Sequence, residues 1–427
     1  MLQNELTRNI KNDFNTVPAI IEKTFPIPLR FKKKLPHDIA GLSRLLTNAR
    51  GGRSLSYLTR PNNLTAYLYY FLPWNLYRLC LLLPGLNLRL KDNDLITDLG
   101  CGPLTFTSAL WITYPQLRDI YLEFNCVDRS APALEAGKKF FASLCGKETV
   151  KWKINLIKED INLKKANLKT AAVNPKNANS EEFNAAGQKS ENKKNKKAAL
   201  VCAVNLFNEI YENLSHNNKT GLRDTAAAAA CYMNKRADSE ASILTVEPGV
   251  PQAGYFISYL RGAFLELNRQ PESPCTHNAP CPLIKGQKNA KRWCHFAFES
   301  TDAPDELLCL SAAAGLPKER LVFSYLYTSA SSKPEDAWQK SLQSQEASLL
   351  AKKHKKDVKT RVISDIFPLP ENKHGCYGCS SKGLVLFAVN KNQINRLKNG
   401  SAVTPFFNAD GKRDIKSGAL IAGLAGE

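Results

Sequence analysis

From Asp94 onward the chain alternates short apolar runs with helix-like ones, and that rhythm limits the fold more than any other feature. The runs are DLITDLG, FTSALWITY, FNCVDRS, ALEAGKKFFASLCG and VKWKINLI, with ALVCAVNLF and ASILTVEPG further on. Short Val-, Ile- and Leu-rich strands separated by helices predict parallel strands, buried on both faces and joined by crossover helices. The expected architecture is α/β, a doubly wound Rossmann-like sheet, and RLVFSYLYTS near 320–329 reads as a late strand.

Three regions frame that sheet. Residues 1–90 show apolar residues at helical spacing, as in HDIAGLSRLLTNA, and predict an N-terminal helical region. Residues 91–335 carry the sheet, interrupted at 164–198 by a segment rich in Lys, Asn, Ala and Ser with almost no large apolar groups. Such a segment buries too little surface to offset its ordering entropy and predicts a flexible insertion. Residues 336–427 begin with a lysine-rich, helix-like stretch (340–358) and continue with the β-like runs RVISDIFPL, GLVLFAV and SGALIAGL, a small β-rich extension.

Lys and Arg number 59 against 39 Asp and Glu, a net charge of +20 that favours a polyanionic partner. The hydrophobic share of 43% excludes global disorder. The start, MLQNELTRNIKNDF, lacks the apolar core of a secretory signal. The most apolar stretch, Leu64 to Leu88, is interrupted by Pro73, Asn75 and Arg78 and predicts two buried or amphipathic helices rather than a membrane span. Twelve cysteines without an export signal imply reduced thiols. The expectation is a cytoplasmic protein with no membrane partner.

The first strand runs into Asp98-Leu-Gly100-Cys-Gly102-Pro and then a helix. Glycines there permit positive φ and close approach of a ligand, and the free N–H groups of the helix start suit an anionic group. Asp128 ends the next strand, where a carboxylate can accept hydrogen bonds from ribose hydroxyls. The third glycine of a dinucleotide fingerprint is missing, Leu104 standing in that region. The D-x-G-x-G start is similar instead to the first motif of S-adenosylmethionine-dependent methyltransferases. Asp160, after the third strand, is a candidate for the adenine amino group, or else a helix cap. Asn205, Asn208 and Glu209 lie at and beyond the end of the fourth strand, on the edge that faces ligand. No catalytic base or nucleophile is identified there.

Cysteines cluster twice: Cys275-Thr-His277-Asn-Ala-Pro-Cys281-Pro with Trp293-Cys294-His295, and Cys376-Tyr-Gly-Cys379 in what reads as a glycine-rich turn. Thiolates hold soft metals. Cys275, Cys281, Cys294 and one of Cys376 or Cys379 would satisfy a [4Fe–4S] cluster. Structural zinc, with His277 or His295 as a further donor, is the alternative. Cys80, Cys126, Cys145 and Cys202, embedded in apolar runs, read as core residues.

Together, TDLGCGPLT, Val246-Glu247-Pro248-Gly249 with Arg261 on the helix that follows, PCTHNAPCPL, Trp293-Cys294-His295-Phe296 and Phe323-Ser324-Tyr325-Leu326 resemble the methyltransferase-like assembly factors of the small ribosomal subunit. That family is known from mitochondria and has bacterial relatives. The resemblance covers roughly residues 55–385 outside the insertion. It implies a class I S-adenosylmethionine-dependent methyltransferase fold with a Cys-rich insertion at 271–300. Donor contacts would come from Asp98, Gly100, Gly102, Asp128, Asp160 and Asn205. The implied [4Fe–4S] cluster would sit on Cys275, Cys281, Cys294 and Cys379, with Cys376 as the alternative fourth ligand. The implied partner is small-subunit rRNA, with the protein ribosome-associated and monomeric away from the ribosome. Three functions follow: a ribosome-assembly or translation factor that binds rRNA, an active rRNA methyltransferase, or a zinc-stabilised RNA-binding protein. The lysine-rich segments 164–198 and 352–360 are the expected rRNA contacts.

Overall fold

Apolar runs buried on both faces of a sheet require helices on both sides, and the chain supplies them. The computed structural model describes residues 5–47, 57–163, 196–211, 218–284, 292–330, 358–407 and 411–424. The lysine-rich segments 164–198 and 352–360 thus fall mostly outside the described residues.

The larger sheet is built from β1 (Asp94–Leu99), β2 (Leu122–Asp128), β3 (Trp152–Lys158), β4 (Ala198–Val204), β5 (Ala237–Pro248), β6 (Arg269–Ser273), β7 (Phe296–Glu299) and β8 (Arg320–Ala330). Their order is β3-β2-β1-β4-β5-β8-β6, with β7 also on β8. Strands β1 to β5 pair in parallel, and β8 runs antiparallel to β5. This is the expected doubly wound, Rossmann-like sheet. Alternate residues divide between two cores. Ile96, Cys126, Leu200 and Val246 join the core that includes residues of the helices Leu72–Leu82, Thr105–Thr113 and Ala131–Cys145. Leu95, Val127, Val201 and Ile243 join that of Lys219–Arg236 and Pro251–Glu266.

The outer edge of β8 is shared. β6 pairs with its residues 327–330, and β7 with its residues 320–323. The chain leaves the sheet at the end of β6 and returns to it as β7, so the described parts of the Cys-rich loop, 274–284 and 292–295, adjoin a gap in the edge.

The N-terminal region is helical as expected, with helices Arg8–Asn15, Val17–Thr24, Leu29–Lys32 and Leu35–Thr47. The Leu64–Leu88 stretch differs from the two separate helices expected. Pro61–Ala66 continues through a π-helical turn, Tyr67–Phe71, into Leu72–Leu82. Proline at 73 lacks an N–H and crowds the preceding turn; the wider turn just before it lets the helix pass without a break. Among the described residues no helix is long and apolar enough to cross a membrane.

A second sheet comprises β9 (Thr360–Val362), β10 (Phe367–Pro368), β11 (His374–Ser380), β12 (Gly383–Val389), β13 (Ala402–Val403), β14 (Pro405–Phe407) and β15 (Leu420–Leu424). Its order is β13-β9-β11-β12-β15-β14, around a core that includes Val362, Cys376, Val385 and Phe387. Cys376 and Cys379 therefore lie on strand β11, not in a glycine-rich turn. Pairing with β12 along the whole strand holds HGCYGCS extended despite its two glycines.

The position of Leu104 also finds its explanation. Leu104 caps the helix Thr105–Thr113 with a left-handed backbone and is fully buried. The space a small residue would have left is provided from the facing helix by Gly137, where an added Cβ would lie 2.5 Å from the Pro103 carbonyl carbon and 2.7 Å from Leu104 Cγ. Gly137→Val should cost about 1–3 kcal/mol through overpacking, read as a lower denaturant midpoint with an unchanged slope.

Candidate functional site

In a parallel sheet the ligand edge lies at the carboxyl ends of the strands, where the order reverses, here between β1 and β4. The turn after β1 adopts positive φ at Gly100 (66°) and Gly102 (52°), and nothing lies within 4 Å of a Cβ built on Gly102. Asp128 ties this turn to the end of β2: its carboxylate accepts from the backbone N–H of Gly102 at 2.9 Å and of Ser130 at 2.8 Å. Burial pushes the carboxyl above its usual range, against the pull of these bonds.

A cavity of about 700 Å³ opens here. Of the residues expected at a donor site, Gly100, Gly102, Asp128, Asp160 and Asn205 all line it. Asp98 lies apart from these walls. It is buried at 1% exposure, takes the Cys202 thiol at 3.4 Å, and its second oxygen has no hydrogen-bond partner. Burial raises its pKa to about 7. Asn205 has a left-handed backbone (φ 56°) and donates its N–H to the Val246 carbonyl at 2.7 Å, which fixes the exit of β4.

Two carboxylates organise the segment beyond β4. Glu247, fully buried at the end of β5, accepts from the backbone N–H of Phe207 (2.8 Å) and of Asn208 (2.9 Å). Burial drives its pKa to about 8. Glu209 is held on both oxygens, by Tyr57 Oη at 3.0 Å and Arg129 at 2.5 Å. Glu247 was visible in the sequence only as a strand end before Pro-Gly, and its role is to shape the cavity floor. The cavity continues beneath the N-terminal helices, where Tyr67, Tyr70, Phe71 and Arg78 join Trp293 and Lys318 in its wall. A basic or aromatic residue inside an apolar helical run carries no sequence signature of such a role.

The Cys-rich loop is held by a buried arginine. Arg261, on helix Pro251–Glu266 and 3% exposed, donates to the His277 carbonyl (2.6 Å), the Ala279 carbonyl (2.9 Å) and the Cys275 sulfur (3.2 Å). Gly254 on the same helix gives the loop room, since a Cβ there would sit 2.6 Å from Trp293 Cδ1 and 2.9 Å from the Cys294 carbonyl. The second sheet closes over the loop: Arg361 donates to the Pro274 carbonyl at 2.7 Å, and Thr276 Oγ1 donates to the Lys359 carbonyl at 2.8 Å.

Residues three apart on a strand face opposite sides. On β11, Cys376 turns into the core of the second sheet, whereas Cys379 reaches the larger core beside Cys281 and Cys294. Burial, followed by mutual repulsion with Cys275, Cys281 and Cys294, pushes the Cys379 thiol well up. Cys294 is raised by burial and then by Cys275 and Cys281, so the four sulfurs sense one another. For Cys376 burial is the sole cause. His277 Nε2 lies 3.4 Å from the Cys379 sulfur, and its burial lowers its pKa to about 4. Among the described residues no group of three or more His, Cys, Asp or Glu side chains is already drawn into a metal-holding arrangement.

Residues 173–364 match the family model Rsm22, described as mitochondrial small ribosomal subunit Rsm22. This upholds the resemblance drawn from the sequence. The match takes in β4, β5, the Cys-rich loop and β8. The glycine turn and Cys379 lie outside it. Among curated proteins no sequence matches the chain. Similar solved structures include the plantazolicin methyltransferase BpumL with SAH, at 13% identity and TM-score 0.24, covering 75% of this chain and 97% of that one. Another is precorrin-6y C5,15-methyltransferase from Geobacter metallireducens, at 12% identity and TM-score 0.28, covering 57% and 83%. A third is a SAM-dependent methyltransferase from Geobacter sulfurreducens with S-adenosyl-L-homocysteine, at 11% identity and TM-score 0.29, covering 60% and 91%.

Two buried carboxyls, Asp98 behind the cavity wall and Glu247 in it, make stability depend on pH. Each has a folded pKa above its ordinary value, so the folded chain binds the proton more tightly than the unfolded chain does. The stabilisation is complete below the ordinary carboxyl range and is lost as pH rises through about 7 for Asp98 and about 8 for Glu247. Asp98 alone should account for ~3 kcal/mol between about pH 5 and pH 8. Thermal melts of Asp98→Asn should accordingly lose less of their midpoint over that interval than melts of the unaltered protein.

Proposed function

We propose that this chain is a small-ribosomal-subunit factor that binds S-adenosylmethionine in the crevice between β1 and β4, carries a [4Fe–4S] cluster, and contacts rRNA. The match to the Rsm22 family supports the ribosomal assignment. The net charge of +20 supports an RNA partner, and the protein is expected to be monomeric away from the ribosome.

The donor reading is carried by the crevice. Open space at Gly102, the Asp128 carboxylate at the end of β2, and Asp160 and Asn205 on the same walls match a ribosyl-adenine ligand with an amino-acid tail. Asp98 would act from beneath, through the turn. The site favours a binding factor over a catalyst. Where amino-directed methyltransferases carry Asn/Asp-Pro-Pro-aromatic, this chain reads Asn205-Leu-Phe-Asn208-Glu209, and Glu209 is engaged by Tyr57 and Arg129 rather than set out as a base.

The donor set fits an anionic thiolate centre. Cys275, Cys281, Cys294 and Cys379 approach one another from three segments. Arg261 and Arg361 are buried beside them, and among the described residues neither pairs with a carboxylate. Two unpaired buried cations favour a centre of net negative charge, and a metal removes the mutual repulsion of four thiolates. The cluster would clip the second sheet to the first; zinc on the same thiols is the alternative. Protein purified without oxygen should be brown and contain iron and sulfide rather than zinc. Cys379→Ser should lose most of that iron while Cys376→Ser retains it; equal loss in both would reject the ligand set.

Asp128→Ala should weaken S-adenosylhomocysteine binding by about tenfold or more through the lost hydrogen bonds, measured by calorimetry. Mapping of modified small-subunit nucleotides with and without the protein tests the binding-factor reading. A mark that disappears in Asp128→Ala, with ribosome binding intact, would make the chain an active methyltransferase.

A further inference from the structure

The cavity contains a pair of cations that the donor crevice does not use. Arg78, from helix Leu72–Leu82, and Lys318, from the segment entering β8, both line it. Arg78 donates through Nη1 to Asn75 Oδ1, while its Nε is buried and meets no acceptor. The Lys318 ammonium lies 5.9 Å from the centre of the Tyr70 ring. Burial and the nearby Arg78 charge lower its pKa to about 8. The groups acting electrostatically on Arg78 are Tyr70 and Tyr67, with no carboxylate among them. The cavity's other guanidinium groups differ: Arg129 is paired with Glu209, and Arg320 with Asp365 and Glu299.

Two like charges in a partly desolvated wall repel each other and have each given up water. Their proximity is stabilised when an anion lies between them. A planar guanidinium beside an ammonium matches the tetrahedral oxygens of phosphate. The same wall includes the aromatic side chains of Tyr67, Phe71 and Trp293, a chemistry that suits an unpaired base and favours a nucleotide over an acidic peptide.

We propose that Arg78 and Lys318 form a phosphate-binding subsite in this cavity, taking the phosphate of a nucleotide or of an unpaired RNA strand that enters beside the donor crevice. The subsite deepens the rRNA reading above by naming where a strand is gripped, and it rests on that reading for the identity of the strand. The phosphate contact itself is independent of it.

The test titrates the full chain with inorganic phosphate, a nucleoside 5′-monophosphate and a short unpaired RNA, with S-adenosylhomocysteine as a separate ligand. Lys318→Met should weaken the phosphate-bearing ligands by about tenfold or more, with Lys318→Arg restoring them and S-adenosylhomocysteine affinity unchanged. Arg78→Met should act alike where it folds; if it does not fold, the two Lys318 variants decide. RNA binding lost with Lys318→Met identifies a strand, whereas loss confined to phosphate and mononucleotide identifies a free nucleotide and separates the subsite from the rRNA contact. Affinities for all three unchanged in Lys318→Met, or competition by an oligoglutamate as effective as by RNA, would overturn the proposal. Failure of S-adenosylhomocysteine to bind would count against the donor crevice alone.

Discussion

The guanidinium of Arg261 connects the parts of this molecule. It is buried, and its charge is met by two loop carbonyls and a cysteine sulfur. Replacing its hydration by these partners fixes the path of residues 275–279 on a rigid helix. Once that path is fixed, the loop offers its outer side to the second sheet, and Arg361 repeats the device from there by capping the Pro274 carbonyl. A charge without an acid partner tolerates burial only among well-placed dipoles. The two arginines thus account for residues 274–279, with little regular structure of their own, keeping a defined course.

The central sheet was legible because its strands are continuous apolar runs broken by turn residues, a pattern that parallel packing demands. The glycine turn, Asp128 and the end of β4 were legible as cavity lining for the same reason: a parallel sheet brings the carboxyl ends of its strands to one edge. The three cysteines of the loop were legible as a group, since proline and histidine neighbours are unlike a core.

Other features depend on partners distant in sequence. HGCYGCS carries two glycines and reads as a turn, yet β12 pairs with it along its length and makes it a strand. The extended backbone then separates Cys376 from Cys379, a choice that spacing alone left open. The Leu64–Leu88 run was read as two helices because Pro73 normally breaks one, and the π-helical turn that accommodates it leaves no mark in composition. Asp98 stands where a ligand contact was expected, but it lies below the cavity walls, and its partner, Cys202, comes from a neighbouring strand. Glu247, Arg78 and Lys318 matter through the groups around them, which no local pattern announces.

The gap between β6 and β7 along the rim of β8 has a consequence for biosynthesis. The thiols of the loop are synthesised well before Cys379, which can reach them only after β11 has been translated. A nascent chain that ends short of β11 lacks Cys379, however well its first sheet has folded. The contact between His277 and Cys379 consequently cannot form until the polypeptide has been made through β11.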